Sequence, residues 1–212
     1  MIWMDKYTDS YLTVSEETRC RIPVGKCRFI ASVAPVAAEN KAQSFIERIR
    51  EEFPDASHHV YAYRVIAEEE ILEKHSDDRE PPGTGGSPVM GVIHKADLCN
   101  TVIVVTRYFG GVKHGVGGLK RAYRAAAAEG LNNTRIIRRE RFSRLVARVS
   151  YEGLGLLMNF ISSSRGEVLH IDYGDEVKVQ LCLRAKDKDV FAESIYAATR
   201  GQAVLEKEGG GR

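Results

Sequence analysis

Four cysteines in 212 residues, none in a CxxC pair, leave this chain without a disulfide framework or a zinc-finger spacing. Cys20, Cys27, Cys99 and Cys182 each lie in or beside a strand-like run and read as buried free thiols of a reducing compartment. No apolar run approaches the roughly 18 residues of a membrane span. The segment MIWMDKYTDSY lacks a basic stretch followed by a long apolar core, so it does not read as a secretory signal. A cytoplasmic protein with no membrane contact is therefore expected. The six histidines show no ligand spacing: His58 and His59 would point to opposite faces of a strand, and His75, His94, His114 and His170 stand alone. No metal and no cofactor are expected. Internal repeats are absent, and the one low-complexity piece, Gly209 to Gly211, is expected to be disordered.

What remains is the composition of an ordinary globular chain, 43% hydrophobic and 28% charged, with a length that suits one large or two small domains. The net charge of +2 conceals an asymmetry. Between Asn100 and Ser150 stand 11 Lys or Arg against two acids, Glu129 and Glu140, so this stretch carries +9 and the remainder −7. Such a positive zone suits RNA, a ribosome or an acidic protein surface. A solvated connection with internal arginine–glutamate pairing is the alternative. Only Tyr108, Phe109, Tyr123 and Phe142 are interleaved, thin support for a stacking platform and none for base-specific reading.

At the centre of this zone lies TVIVVTRYFGGVKHGVGGLKRAYRAAAAE, from Thr101 to Glu129. A β-branched and aromatic run enters a loop with Gly110, Gly111, Gly115, Gly117 and Gly118, and a helix from about Gly117 follows. Helical spacing places Leu119, Ala122, Tyr123 and Ala126 on one face and Lys120, Arg121 and Arg124 on the other. Backbone N–H groups at the helix start make this a candidate site for a phosphate or sulfate ion, with Arg107, Lys113, His114, Gly117, Gly118, Lys120, Arg121 and Arg124 as its candidate residues. Neither nucleotide motif fits. A dinucleotide fingerprint from Gly115 needs glycine where Lys120 stands, and a Walker A loop from Gly110 needs lysine where Val116 stands. A tight turn that merely packs the helix on its own strand accounts for the same glycines.

Periodicity places strands at Thr18 to Ile22 and Cys27 to Pro35, and a helix from Glu39 to Phe53 capped by Asn40 with Ala42, Phe45, Ile46 and Ile49 buried. A strand from His59 to Ile66 follows, then an acidic segment and an irregular loop from Pro81 to Pro88, then a short helix from Val89 to Ala96. The alanine-rich helix ends in Gly130, Asn132 and Asn133, and the chain splits near Asn132 to Glu140, where a polar basic connection begins. Beyond it, strand, helix, two strands around Gly174–Asp175, a helix capped by Asp187 or Asp189, and a last strand give βαββαβ, the ferredoxin-like pattern.

Two segments together resemble the signature blocks of the YigZ and IMPACT family: SDDREPPGTGGSPV from Ser76 to Val89, and VTRYFGGVKHGVGGLKRAY from Val105 to Tyr123. The family usually has glycine where Arg79 stands and alanine where Gly85 stands. The resemblance implies an α+β protein of two domains. Residues Glu16 to Leu131 would form a two-layer α/β domain shared with a small-subunit ribosomal protein. Residues Arg141 to Lys207 would form a ferredoxin-like domain similar to domain V of elongation factor G. It further implies a link to translation, through competition for an activator of a translation-inhibiting kinase in eukaryotic members and through nucleic-acid or ribosome binding in bacterial ones.

Two functional readings follow. In the first, a non-catalytic binding protein engages RNA, a ribosome or a translation factor through the basic residues. In the second, a hydrolase or transferase acts on a small phosphorylated or acidic substrate, with Asp77, Asp78 and Glu80 facing the glycine loop as magnesium ligands or contacts for a basic partner. No set of nucleophile, base and orienting group is legible to support that second reading.

Overall fold

The computed structural model describes residues 9–67, 70–111 and 114–207. Lys113 and the glycines at 209–211 lie outside them. The chain divides into two compact units, Tyr11–Arg139 and a second built from residue 140 onward with residues 9 and 10.

In the first unit, β1 (Ser10–Val14), β2 (Thr18–Val24), β3 (Cys27–Pro35), α1 (Glu39–Glu52), β4 (His58–Ala67), β5 (Glu70–Ser76), α2 (Gly86–Lys95), β6 (Thr101–Tyr108), α3 (Gly115–Asn132) and β7 (Ile136–Glu140) follow one another. Strands β2-β3-β6-β4-β5 form one antiparallel sheet, and β1 pairs with β7 separately. The central strand β6 is buried from Thr101 to Arg107, because its two side-chain rows meet different helices. Ile103 and Val105 join Phe29, Val60, Val89, Ile93, Leu119, Tyr123 and Ala126 under α2 and α3. Val102 and Val104 join Phe45, Ile46, Ile49, Tyr63 and Val65 under α1. This unit therefore has helices on both faces of its sheet, three layers where two were expected. The near-continuous apolar runs CRFIASVAP and TVIVVT are the cause, since strands buried on both faces do not alternate.

Several local expectations are corrected. The acidic segment Glu70–Ser76 is an edge strand, paired with β4 from Tyr61↔Ser76 to Ala67↔Glu70, its charges facing solvent as edge strands tolerate. The basic connection after α3 is strand β7, and β1 was not legible at all. The helix after the proline–glycine loop begins three residues earlier than read, at Gly86. Asn40 lies inside α1, whose N-cap is Ala38 with no side-chain bond. Helix α3 ends at Asn132 with Asn133 as its C-cap, within the expected Gly130–Asn133 stretch, and Gly130 lies in its last turn. A Cβ there would stand 2.8 Å from Val33 Cγ2 and 3.0 Å from Ala31 Cβ, so this glycine lets the helix approach the sheet.

The second unit is βαββαβ: β8 (Phe142–Val149), α4 (Tyr151–Ser163), β9 (Glu167–Tyr173), β10 (Val177–Arg184), α5 (Lys188–Ala198) and β11 (Val204–Lys207), in the order β11-β8-β10-β9. Leu145, Ala147 and Val149 alternate inward with Val177, Val179, Leu181 and Leu183 against Leu157, Ile161, Phe191 and Ile195 of the two helices. The Ser150 hydroxyl caps α4 by accepting from the Gly153 amide. Asp187 occupies the α5 N-cap, but its carboxylate accepts from Arg184 Nε at 3.2 Å instead of capping.

Candidate functional site

Both signature segments lie in the first unit, and each positions charge. After β5 the chain turns through Asp78 and Arg79, at φ of 43° and 69°, a left-handed pair that glycine would adopt with less strain. The turn aims Asp77 at the start of α2. Its Oδ1 accepts from the amides of Gly85 and Gly86, both at 2.8 Å, and its Oδ2 from Gly83 at 2.7 Å. A Cβ at Gly85 would stand 2.8 Å from both Val60 methyls, so glycine rather than alanine relieves that contact here. Asp78 Oδ2 accepts from the His59 amide at 2.6 Å, and the Asp78 carbonyl meets His58 Nδ1 at 2.8 Å. Glu80 is buried. Its Oε1 accepts from Arg107 Nη1 at 2.5 Å and from the Tyr123 hydroxyl at 2.7 Å. Burial and the adjacent Glu80 carboxylate push the Tyr123 hydroxyl well above its ordinary range, which keeps it a donor.

The three carboxylates are thus occupied: Asp77 as the anion at a helix start, Asp78 as a clamp on β4, Glu80 as the counter-ion of Arg107 on β6 and the acceptor for the Tyr123 hydroxyl on α3. Burial pushes the Asp77 carboxyl up, but the three amides from Gly83, Gly85 and Gly86 outweigh it and hold the pKa below the ordinary carboxylate value. A depressed folded-state pKa contributes stability above the unfolded value of about 3.9, lost as pH falls through the folded value. Asp77→Ala is expected to cost about 2–3 kcal/mol at neutral pH, and the gap to wild type should narrow as pH falls below about 3.9. Urea midpoints across that range check this; a gap independent of pH would refute it.

Around the glycine loop, His114 is half-buried at the α3 N-cap, with Nε2 3.3 Å from the Val24 carbonyl and Nδ1 3.8 Å from Cys27 Sγ. Cys27 Sγ also accepts from the Gly110 amide at 3.3 Å and Arg107 Nη2 at 3.5 Å. The candidate cations therefore separate. Arg107 is 4% exposed and ion-paired, which removes it from any surface anion site. His114 turns inward to the β2–β3 hairpin. Lys120, Arg121 and Arg124 are exposed, and among the described residues none has an ion-pair partner. Gly117 is exposed and Gly118 half-buried; a Cβ at Gly117 would lie 3.6 Å from Arg121 Nη1, so that guanidinium folds back along the first turn. That turn contains no acid and no side-chain cap.

An aromatic column runs beside these groups. The rings of Tyr123 and Phe29 meet edge to face at 5.2 Å, and the Arg107 guanidinium stands 5.7 Å from the Phe29 centroid and 5.2 Å from that of Phe109. Phe109 is 47% exposed. The sequence shows only the tripeptide Arg107–Tyr108–Phe109, with nothing to mark the stack.

Comparison with known proteins agrees with these two segments. The Impact N-terminal domain model matches residues 25–131, and a domain of unknown function, DUF1949, matches residues 148–202. IMPACT family member YvyE of Bacillus subtilis is 37% identical over 200 residues, 94% of this chain and 91% of that one. The chain belongs to the IMPACT family. Within it, YigZ of Escherichia coli is 29% identical over 195 residues, 92% of this chain and 93% of that one. The IMPACT match extends to the mouse protein IMPACT, 27% identical over 117 residues, 48% of this chain and 36% of that one. A solved structure of a hypothetical protein superposes with a TM-score of 0.70 at 26% identity, covering 96% of this chain and 99% of that one. The α+β fold and the two-domain organisation are those of the IMPACT family. No helix among the described residues is long and apolar enough to cross a membrane.

Proposed function

We propose that this IMPACT family member is a cytoplasmic, non-catalytic binding protein of the translation apparatus that engages RNA phosphates through the outer face of α3. The observation that carries this reading is the state of Lys120, Arg121 and Arg124: exposed, clustered within two helical turns and without ion-pair partners among the described residues. Lys120 and Arg124 stand at i and i+4, where like charges cost a helix about 0.2–0.5 kcal/mol. Glycines at 115, 117 and 118 weaken the same helix start. A bound phosphate would relieve the repulsion and satisfy first-turn amides together. The carboxylates required for hydrolase or transferase chemistry are engaged instead in holding α2, β4 and Arg107, which favours binding over catalysis; no cofactor is invoked.

Binding of a fluorescent 40-mer RNA, titrated with salt, tests this. Each phosphate contact on a single strand contributes about −0.7 to the log–log salt slope, so Lys120→Gln/Arg121→Gln/Arg124→Gln is expected to flatten the slope by about 2 and weaken binding at low salt. Undetectable binding at ~50 mM salt, or binding unchanged in the triple variant, would exclude an RNA role for this face. A protein partner in the translation machinery would then be sought in ribosomal fractions.

A further inference from the structure

We propose that His59 is a proton-sensitive latch: its uncharged imidazole ties the end of α1 and the turn Asp77–Glu80 to the start of β4, and uptake of one proton loosens that junction. The residue is 7% exposed and bridges three elements. Its Nε2 lies 3.1 Å from the carbonyl of Phe53, the C-cap of α1. A carbonyl oxygen only accepts, so the neutral ring carries its proton on Nε2 and a lone pair on Nδ1. Nδ1 lies 3.9 Å from Asp78 Oδ2, an oxygen already held at 2.6 Å by the amide of His59 itself. An added proton goes to Nδ1 and creates a charge where little water reaches.

Neighbouring charges decide whether such a cation is tolerated. From the turn, Asp78 and Arg79 act on the ring; from α1 comes Arg50, whose Nη2 stands 3.9 Å from Asp78 Oδ1. The ring therefore senses two guanidinium groups against one carboxylate. Opposite His59 on β6 stands the uncharged Thr106. His58 turns to the other face of the strand, with Nδ1 2.8 Å from the Asp78 carbonyl and Nε2 3.7 Å from Glu80 Oε1. Burial holds the His59 pKa below its ordinary 6.5; Asp78 and the Phe53 carbonyl work against that shift, and Arg50 and Arg79 reinforce it. Released from this burial, the ring takes up its proton at higher pH. Stability contributed by the neutral ring is therefore complete above about 6.5 and is lost as pH falls through the depressed folded value. Local opening exposes the ring at less cost than global unfolding, so the proton favours release of this junction first. The turn it holds also supplies Glu80 to Arg107 and Tyr123, so the latch bears on the contact between the two signature segments.

The test compares the full wild-type chain with His59→Gln, whose amide nitrogen can still donate to the Phe53 carbonyl but cannot gain a proton. Amide exchange by NMR, expressed as protection factors, is read at about pH 7.5 and about pH 5. Wild type is expected to lose protection at the His59 and Glu80 amides by more than about threefold on acidification, while His59→Gln changes by less than about twofold and Val104 on β6 keeps its protection in both. The imidazole signal absent from His59→Gln should titrate below 6.5. The inference is overturned if wild type keeps its protection, if the variant loses as much, if Val104 loses as much as the turn, or if the His59 ring titrates at or above 6.5. Should His59→Gln not fold, the wild-type exchange and the titration of the His59 ring, assigned through its bonds, decide by themselves.

Discussion

Glu80→Leu is expected to destabilise the first unit by about 3–5 kcal/mol, because it leaves the guanidinium of Arg107 buried without a counter-charge. Arg107 is only 4% exposed. The same change strips the Tyr123 hydroxyl of its acceptor, adding the cost of an unsatisfied buried donor. Against a typical folding stability of about 5–15 kcal/mol, such a loss is large. Arg107→Leu should cost a similar amount by leaving Glu80 charged and buried. The double variant Glu80→Leu/Arg107→Leu should recover much of the sum, since no unpaired charge remains and replacement of a buried pair by apolar groups is often neutral. Urea denaturation of the four proteins gives the coupling directly. Single variants each within about 1 kcal/mol of wild type would show that the pair does not hold α3 to β6 as described.

Gly110→Ala is expected to be comparably damaging for a steric reason. An added Cβ would stand 2.0 Å from the Lys26 carbonyl oxygen, 2.3 Å from its carbonyl carbon and 2.8 Å from the Cys27 nitrogen. All three are backbone atoms of the β2–β3 hairpin, so no rotamer change relieves the clash. Either the hairpin or the glycine loop must move, breaking the Gly110 amide contact to Cys27; a loss of about 3 kcal/mol or more is expected. Gly155→Ala in the second unit is the contrast. Nothing lies within 4 Å of its added Cβ, and the position is an exposed turn of α4, so alanine should stabilise by about 0.5–1 kcal/mol. Thermal unfolding separates the two; a Gly110→Ala protein as stable as wild type would mean that the close approach to Lys26 is not maintained in solution.

Much of the fold was legible, and for identifiable reasons. The β8 to β11 unit read correctly as βαββαβ because its strands bury one face each and alternate cleanly, as in Leu145, Ala147 and Val149. The first unit read less well in layers, because Val102 to Val105 are buried on both sides and carry no period that assigns them to a face. Strand β5 was hidden by Glu70, Glu73 and Lys74, which suit a sheet edge but resemble a loop by composition. The cap expected of Asn40 failed because several residues near a helix start qualify, and only the backbone turn decides which of them sits at its end.

The candidate site divides along the same line. Residue types and spacing alone determined the positive zone, the outward set Lys120, Arg121 and Arg124, and the paired motifs that mark the IMPACT family, since these depend on local periodicity and on identity. Only tertiary structure decided that Arg107 belongs to the interior and that Asp77, Asp78 and Glu80 are spent on amides and a counter-ion. Glu80 meets Arg107 across 27 residues and Tyr123 across 43. Whether a charge is buried or presented depends on the partner that folding brings to it, and a partner so distant leaves no trace in local sequence. The same holds for Phe109, one aromatic among several until the fold set a fixed guanidinium beneath its ring.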